Sequence, residues 1–372
     1  MRSQRVRAAR RGHVFLYGLI PVLIAAALAI YRPAFFPRLD DTVYDTVMRS
    51  ARTAPPGNHV VIVDIDERSL TTLGQWPWRR DAVGRLITRL RDMGASTIAL
   101  DIIFAEPDRF EVRDPGDSPS SATPDDILAG VLRDGRVILG YAFTFDRAPS
   151  ARSACVLHPV SLAVVHPSDE TGGAPYFRAT GAVCSLPMLA RAAGASGFLN
   201  AAPDPDGILR RVPLVVELDG RMYPSLALAA VAAVTGARDM ALYVSNVNAS
   251  TLTIDQRIVP LDGKGNLLAR YRGKKGTFPH VSAADVLSGQ VPAGTLRDKI
   301  VFVGTTALGT REVVATPLDT LFAGVEVQAT IADNLLDRSF IRRSALGSIL
   351  DSQLVLVLGI AIALLVARIG VV

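Results

Sequence analysis

The sequence predicts an α/β fold built on a mostly parallel sheet, with an additional β section and a transmembrane helix at each end. Two short apolar runs, residues 60–63 and 97–104, lie on either side of an amphipathic segment at residues 79–93. Uninterrupted apolar strands joined by a helix are typical of a parallel sheet that is covered on both faces. Longer apolar runs at residues 14–31 and 348–367 predict the two flanking helices.

The composition is compatible with one large domain, or two average ones, attached to a membrane. Hydrophobic residues make up 49% of the 372 residues and the mean hydropathy is +0.29, a value that two spans raise without further membrane segments. The net charge of +5 comes from basic residues that are scattered along the chain. No nucleic-acid recognition module occurs in the sequence, so we expect no nucleic-acid partner.

Positive charge before the first apolar run predicts its orientation. Residues 1–13 form an Arg-rich tail that we expect in the cytoplasm, because positive residues before a first span favour that side. Residues 14–31 then form a transmembrane helix, and a cleaved signal peptide ending near Ala27-Leu28-Ala29 is the alternative. Both interpretations export the residues that follow. The arginines of the tail are Arg2, Arg5, Arg7, Arg10 and Arg11.

The second apolar run predicts a span at residues 348–367, with Asp351 at the membrane interface. A buried helix of the soluble domain is the alternative interpretation of this run. We expect the last residues, 368–372, to be a truncated tail, since no output domain follows the span in this chain.

Local sequence patterns predict the elements between the spans. Helical spacing of apolar residues at 40–51, ended by Pro55-Pro56-Gly57, predicts a linker helix before the domain. Residues 108–123, rich in Pro, Asp and Ser, predict an exposed loop, and residues 148–180 lack a regular pattern. Further helices are predicted at residues 79–93, closed by Gly94, and at 124–132, 223–234 and 325–336. Strands are predicted at residues 60–63, 97–104, 137–145, 252–259, 267–271 and 300–303.

The two cysteines of the chain, Cys155 and Cys184, both fall in the exported part. A disulfide between them would close a loop of about 30 residues and contribute roughly 3.5 kcal/mol by loop entropy. Free thiols are the open alternative. The nearby histidines, His158 and His166, share no ligand spacing with either cysteine, so we expect no zinc site and no cofactor.

Carboxylates follow two of the predicted strands. Asp64 and Asp66 come directly after the first apolar strand, and Asp101 and Glu106 lie near the end of the second. Ligands of open α/β sheets bind beyond the carboxyl ends of the strands. One hypothesis is phosphoryl transfer, with Asp64 as nucleophile and Asp66 as acid/base around Mg²⁺, although Arg68 departs from that motif. The alternative is structural: Asp66 caps a helix at residues 67–73 and Asp64 makes a structural hydrogen bond.

Two loops beside these strand ends are also candidate sites. Gly304 and Thr305 begin a Gly-rich turn that could offer backbone N–H groups to an anion, although the turn lacks the Lys and Ser/Thr of a P-loop. A tight structural turn is the alternative. The only tryptophans, Trp76 and Trp78, precede Arg79, a combination that can form a cation–π pair or a ligand wall. A rigid loop that plugs the base of the domain is the alternative.

Ordered sequence blocks along the chain resemble the type 2 CHASE domain. Three of them are Gly-Gln-Trp-Pro-Trp-Arg at residues 74–79, Pro-Asp-Gly-Ile-Leu-Arg-Arg at 205–211 and Gly-Val-Glu-Val-Gln-Ala at 324–329. The blocks follow the family's order within a predicted domain at residues 38–345. The others are at residues 60–66, 94–95, 100–104, 223–227, 299–304 and 316–317.

The resemblance implies an extracytoplasmic ligand-sensing domain of a bacterial receptor, in the inner membrane with the domain in the periplasm. It implies a non-enzymatic module that works with a cytoplasmic adenylate or guanylate cyclase, or a histidine or other kinase, in the same chain or a separate one. We expect a homodimer, because such effectors work as dimers, with membrane lipid and an unknown ligand as further partners. The resemblance assigns no ligand and no catalytic residue.

We expect a ligand to contact the polar and aromatic residues at the strand ends. A membrane-anchored metal-dependent phosphohydrolase and a structural or partner-binding membrane protein are the alternative functions. The candidate ligand-binding residues are Asp64, Asp66, Trp76, Trp78, Arg79, Asp101, Gly304 and Thr305.

Overall fold

The computed structural model divides the chain into two compact units, residues 1–50 with 342–372, and residues 51–341. The second unit lies within the domain that the sequence predicts. The residues that the structure describes are 20, 22–24, 35–50, 54–109, 122–146, 155–165, 176–237, 239–246, 249–309, 312–341, 353, 356–362 and 364–365.

The first unit contains helix α1 (Phe35–Ser50), which begins five residues before the predicted linker helix. Leu39, Val43 and Val47 are exposed on α1, one turn apart. Most of the two predicted spans, residues 14–31 and 348–367, lies outside the described residues. None of the described helices is both long and apolar enough to cross a membrane, so the flanking transmembrane helices stay a prediction.

The second unit contains the described strands and seven of the described helices. Its helices are α2 (Glu67–Leu73), α3 (Arg80–Asp92), α4 (Pro124–Arg133), α5 (Pro187–Ala193), α6 (Leu226–Thr235), α7 (Ala283–Ser288) and α8 (Gly324–Leu336). Its strands are β1 (Val60–Ile65), β2 (Thr97–Leu100), β3 (Val137–Thr144), β4 (Leu162–Val165), β5 (Gly181–Val183), β6 (Ser196–Phe198), β7 (Arg211–Pro213), β8 (Val215–Leu218), β9 (Arg221–Pro224), β10 (Met240–Asn246), β11 (Ala249–Ile254), β12 (Arg257–Asp262), β13 (Asn266–Leu268), β14 (His280–Ser282), β15 (Ile300–Thr305), β16 (Val313–Val314) and β17 (Phe322–Ala323).

The main sheet has seven described strands in the order β14-β1-β15-β2-β3-β5, with β6 also paired to β3. Every pair in it is parallel except β3 with β5, which confirms the predicted mostly parallel sheet. β1 and β2 are not neighbours, because β15 lies between them and pairs with both. The strand between β1 and β2 is therefore supplied by a segment that follows β2 by about two hundred residues.

Helices cover both faces of this sheet, as the apolar strands predict. One face packs against α3, α4, α5 and α7 in a single apolar core that includes Val63, Leu86 and Val301. The other face is covered by α6 and α8, which also pack against each other. On that face α8 lies so close to β15 that a Cβ atom on Gly304 would be 2.7 Å from the Cβ atom of Val325.

The additional β section is a four-stranded sheet in the order β12-β11-β10-β4. β10, β11 and β12 are antiparallel, and β4, within the stretch predicted as irregular, runs parallel to β10. The single strand predicted at residues 252–259 is in fact two, because the chain turns at Asp255, whose φ of 48° is left-handed. Cys155 and Cys184 are joined by a disulfide.

Two other predicted boundaries are wrong for identifiable reasons. The predicted helix at 223–234 begins only at Leu226, because Arg221–Pro224 pairs with β8 and Ser225 caps the helix through its side chain. The predicted strand at 97–104 ends at Leu100, and the apolar residues after it leave the sheet to line a cavity.

We predict that Gly304→Ala destabilises the second unit by about 1–3 kcal/mol, because the added methyl group overlaps Val325 on a fully buried helix. Gly130→Ala is the matched control, since Gly130 is inside α4 and nothing lies within 4 Å of an added Cβ atom. In urea denaturation the first variant should have a lower unfolding midpoint, and the second an unchanged or higher one. Equal midpoints for Gly304→Ala and the native chain would contradict the close packing of α8 on β15.

Candidate functional site

A cavity of about 430 Å³ lies at the carboxyl ends of β2 and β15. Its lining combines the segment after β2, the loop around Trp76, and the first residues of α8. Three of the predicted site residues line it: Trp76, Asp101 and Thr305. The other five, Asp64, Asp66, Trp78, Arg79 and Gly304, lie elsewhere. This cavity is called the carboxyl-end cavity below.

Asp101 is the carboxylate that the structure brings into the carboxyl-end cavity. Its backbone N–H donates to the carbonyl oxygen of Val303 at 2.8 Å, which holds Asp101 beside β15. Burial, and then the nearby charge of Glu312, raises the pKa of Asp101 to about 7. Among the described residues none donates a hydrogen bond to its carboxyl group. Asp101 is therefore a partly buried carboxylate with no fixed counter-ion in the described part of the chain.

The amino end of α8 lies beside this carboxylate. A Cβ atom on Gly324 would be 3.8 Å from Oδ2 of Asp101, and no side chain caps α8. The first N–H groups of a helix carry partial positive charge, which stabilises a carboxylate nearby. The position of Asp101 is thus coupled to the position of α8.

The tryptophan loop divides its residues between the core and the carboxyl-end cavity. Trp78 is only 4% exposed, and its Nε1 donates to the carbonyl oxygen of Gly74 at 2.8 Å. Trp76 lines the cavity and meets the ring of Trp78 edge-on, with 5.5 Å between the ring centroids. Arg79 is largely exposed and pairs with Asp81. Trp78 therefore packs in the core, whereas Trp76 is available to contact a ligand in the cavity.

Arg80, rather than the predicted Arg79, is the arginine of the carboxyl-end cavity. Its NH2 group donates to the carbonyl oxygen of Glu106 at 2.9 Å, and its guanidinium lies 4.5 Å from the ring centroid of Phe104. Its Nε atom lies 3.3 Å from Oδ1 of Asp125. The sequence does not distinguish the two adjacent arginines, because only the direction of α3 decides which one turns inward.

Asp64 belongs to a separate group of charges, the His280 cluster of Asp64, His280 and Glu326. Oδ2 of Asp64 accepts a 2.6 Å hydrogen bond from Thr306 and lies 3.4 Å from Nδ1 of His280. Nε2 of His280 lies 3.9 Å from Oε1 of Glu326. Burial alone would lower the pKa of His280, but the two carboxylates raise it to about 9. The cluster is thus a cation between two anions, next to the first turn of α8.

Asp66 is the cap of α2. Its Oδ1 accepts hydrogen bonds from the backbone N–H of Ser69 at 2.8 Å, and from the hydroxyl groups of Ser69 and Ser282 at 2.6 and 2.9 Å. Burial alone would raise the pKa of Asp66, but these bonds hold it below the usual value. No group of three or more His, Cys, Asp or Glu side chains in the described part of the chain could hold a metal ion. The helix cap that the sequence predicts at Asp66 is therefore present.

The predicted anion-binding turn begins two residues later than the sequence indicates, because β15 continues to Thr305. Gly304 and Thr305 are still part of β15, paired with Asp64 and Ile65 of β1. Gly304 allows α8 to approach the sheet, and Thr305 lines the carboxyl-end cavity.

Comparison with protein-family models matches residues 22–368 to the CHASE2 domain. The chain belongs to the CHASE2 family. CHASE2 domains are extracellular sensory domains of signalling receptors, and the match confirms the resemblance found in the sequence blocks. Comparisons with curated proteins and with solved structures returned no match.

The carboxyl end of α8 in this CHASE2 domain is held by a second group of charges. Oδ1 of Asp333 accepts a 2.7 Å hydrogen bond from the backbone N–H of Gly57, and its Oδ2 accepts one of 2.6 Å from Arg272. Arg272 also donates to Asp337 at 2.9 Å. These four residues are called the terminal clamp below. The terminal clamp joins the segment before β1 to the end of α8.

We predict that the stability of the CHASE2 domain falls between about pH 6.5 and pH 9 because of His280. A pKa that folding raises adds stability that is complete below the unfolded value and is lost as the pH passes the folded value. The loss amounts to roughly 1–3 kcal/mol, since one pKa unit corresponds to about 1.4 kcal/mol. Urea denaturation across this pH range measures it.

The control for this pH dependence is a variant that changes no titratable group. His280→Asn should flatten the pH profile of the free energy of unfolding, whereas Gly130→Ala should leave the slope of the profile unchanged. A profile of the same slope in His280→Asn and the native chain would rule out the protonated His280 cluster.

Proposed function

We propose that this CHASE2 domain is the ligand-sensing input of a bacterial receptor in the inner membrane. In this proposal the domain lies in the periplasm, binds a ligand in the carboxyl-end cavity, and controls an adenylate or guanylate cyclase or a kinase in the cytoplasm. The observation that carries it is the course of α8. This helix runs from the carboxyl-end cavity to the terminal clamp.

The amino end of α8 is in contact with the proposed ligand site. Gly324 and Val325 line the carboxyl-end cavity, and the next residue, Glu326, belongs to the His280 cluster. The carboxylate of Glu326 also accepts the backbone N–H of Gly276 at 2.9 Å. A ligand that moves these residues therefore acts directly on the first turn of α8.

The body of α8 is suited to carry such a movement. Every residue from 325 to 335 is buried, and its polar side chains have partners inside the domain. Gln328, for example, accepts the backbone N–H of Ala227 at the start of α6. A helix of 13 residues spans about 20 Å at about 1.5 Å per residue. Because it is packed on all sides, we expect α8 to move as a rigid unit.

The terminal clamp connects the carboxyl end of α8 to the segment before β1, so a movement of α8 also moves that segment. Asp333 is 0% exposed, and Arg272 binds both Asp333 and Asp337. Breaking one partner of a buried ion pair costs about 3–5 kcal/mol, so the segment at Gly57 is held firmly to α8. The beginning and end of the domain are thus joined within one protomer.

We infer that a ligand moves the segment at Gly57 and the end of α8 together, relative to the second protomer of the expected homodimer. The two segments do not slide past each other in this proposal.

Signal transfer on this route requires that the ligand binds one of two arrangements of α8 more tightly than the other. The position of Asp101 beside the amino end of α8, which no side chain caps, provides a contact that depends on the arrangement. The arrangement of α8 then sets the activity of the cytoplasmic effector, in the same chain or in a separate one.

We predict that Asp333→Asn changes the output of a chimeric receptor. The full chain is joined to the membrane and catalytic segments of a bacterial adenylate cyclase, and cyclic AMP is measured in cells without their own cyclase. The substitution weakens the bonds to Gly57 and Arg272, so cyclic AMP should change by about fivefold or more at equal protein amount.

Asp92→Asn is the control, because Asp92 is exposed at the carboxyl end of α3. Limited proteolysis tests whether each variant is folded, and Arg272→Lys, which keeps the charge, replaces Asp333→Asn if that variant is degraded. Equal cyclic AMP in the native chimera, in the folded clamp variant and in a chimera without residues 54–341 would contradict a sensory role.

A further inference from the structure

The described lining of the carboxyl-end cavity has an excess of negative charge. Three carboxylates, Asp101, Glu106 and Glu312, line it. Arg80 is the one basic residue among the described lining residues, and it already lies against Asp125, with both side chains less than 10% exposed. The positive charge of Arg80 is therefore largely neutralised before any ligand arrives.

Asp101 is the member of this group for which a counter-ion matters most. Among the described residues none donates a hydrogen bond to its carboxyl group, and the charge of Glu312 acts on it unfavourably. A partly buried carboxylate without a partner carries a desolvation cost, and it takes up a proton more readily unless a cation is present. The amino end of α8 supplies only about half a unit charge, so it offsets only part of the surplus.

The walls of the carboxyl-end cavity suit a carbon-containing ligand. Trp76 provides an aromatic ring, and Ile102, Phe104, Leu199 and Val325 provide apolar surface. A volume of about 430 Å³ lies within the usual range of small-molecule sites. The described residues offer no group of ligands that could hold a metal ion. An aromatic ring beside carboxylates is a common arrangement for ammonium and guanidinium groups.

We propose that the carboxyl-end cavity binds a small organic cation, whose positive charge is neutralised by Asp101 and Glu312 and whose carbon skeleton packs against Trp76. This proposal rests on the proposed sensory function and names its class of ligand. A primary amine, a guanidinium and a quaternary ammonium share the required chemistry.

Binding of such a cation is linked to a proton. Because the pKa of Asp101 is about 7 without a ligand, the carboxyl group is partly protonated at neutral pH. A cation favours the ionised form, so it displaces the proton as it binds. Affinity should therefore rise by roughly tenfold between pH 6 and pH 8, and about half a proton should be released per cation at pH 7.

Calorimetric titration of the full chain in a nonionic detergent tests this proposal. The probes are choline, 1,4-diaminobutane and agmatine, compared with the neutral choline isostere 3,3-dimethylbutan-1-ol and the dianion glutarate. We expect at least one cation to bind, with proton release measured in buffers of different ionisation enthalpy, and we expect the neutral and anionic probes not to bind. Asp101→Asn and Glu312→Gln should each weaken binding about tenfold or more.

Asp92→Asn is again the matched control, because it removes an exposed carboxylate at the opposite, amino end of β2 and should leave the affinity unchanged. The proposal is overturned if none of the three cations binds at millimolar concentration, or if Asp101→Asn binds as tightly as the native chain. It is also overturned if glutarate binds better than the cations.

These outcomes are distinguishable from failure of the sensory function. If no cation binds but cyclic AMP still differs between the native chimera and the terminal-clamp variant, the sensory role holds and the ligand class is wrong. If a cation binds as expected but cyclic AMP stays constant in every chimera, the cavity is a binding site that does not control an output.

Discussion

The fold of this CHASE2 domain depends on one strand that arrives late in the chain. β15 pairs with β1 on one side and with β2 on the other, so neither of those strands has its central neighbour until the last third of the domain is present. The same strand places Thr305 beside the carboxyl-end cavity and Gly304 beneath α8. Pairing between segments so far apart in the chain costs conformational entropy, which is repaid only when the whole sheet is in place. The sheet and the cavity therefore form together.

Two groups of interior charges hold the two ends of α8. The His280 cluster lies at its amino end and the terminal clamp at its carboxyl end, and both combine a base with two carboxylates. Buried ion groups of this type contribute little net stability over apolar packing, but they tolerate only one geometry. They fix the register of a helix whose apolar side chains alone would permit small shifts. Asp101 is the exception in the same region, since no described residue pairs with its carboxyl group.

The sequence predicts more of the fold than of the site. The buried strands are readable because residues such as Val63 and Val301 lie in uninterrupted apolar runs. The helix cap is readable because Asp66 is of a residue type that commonly caps helices. The position of β15 between β1 and β2 is not readable, because pairing order leaves no local pattern. Glu312 was missed for a similar reason: it precedes a strand of two residues, and only the tertiary fold brings it near Asp101.

The disulfide between Cys155 and Cys184 has a consequence for where the domain can mature. Cys155 precedes β4 of the four-stranded sheet, whereas Cys184 follows β5 at the edge of the main sheet. The bond is thus a covalent link between the segment that leads into β4 and the edge of the main sheet. Disulfides form in oxidising compartments and are reduced in the cytosol. In a chain retained in the cytosol, only non-covalent contacts, such as the hydrogen bond from the backbone N–H of His158 to the hydroxyl group of Ser196, would hold this segment to the main sheet.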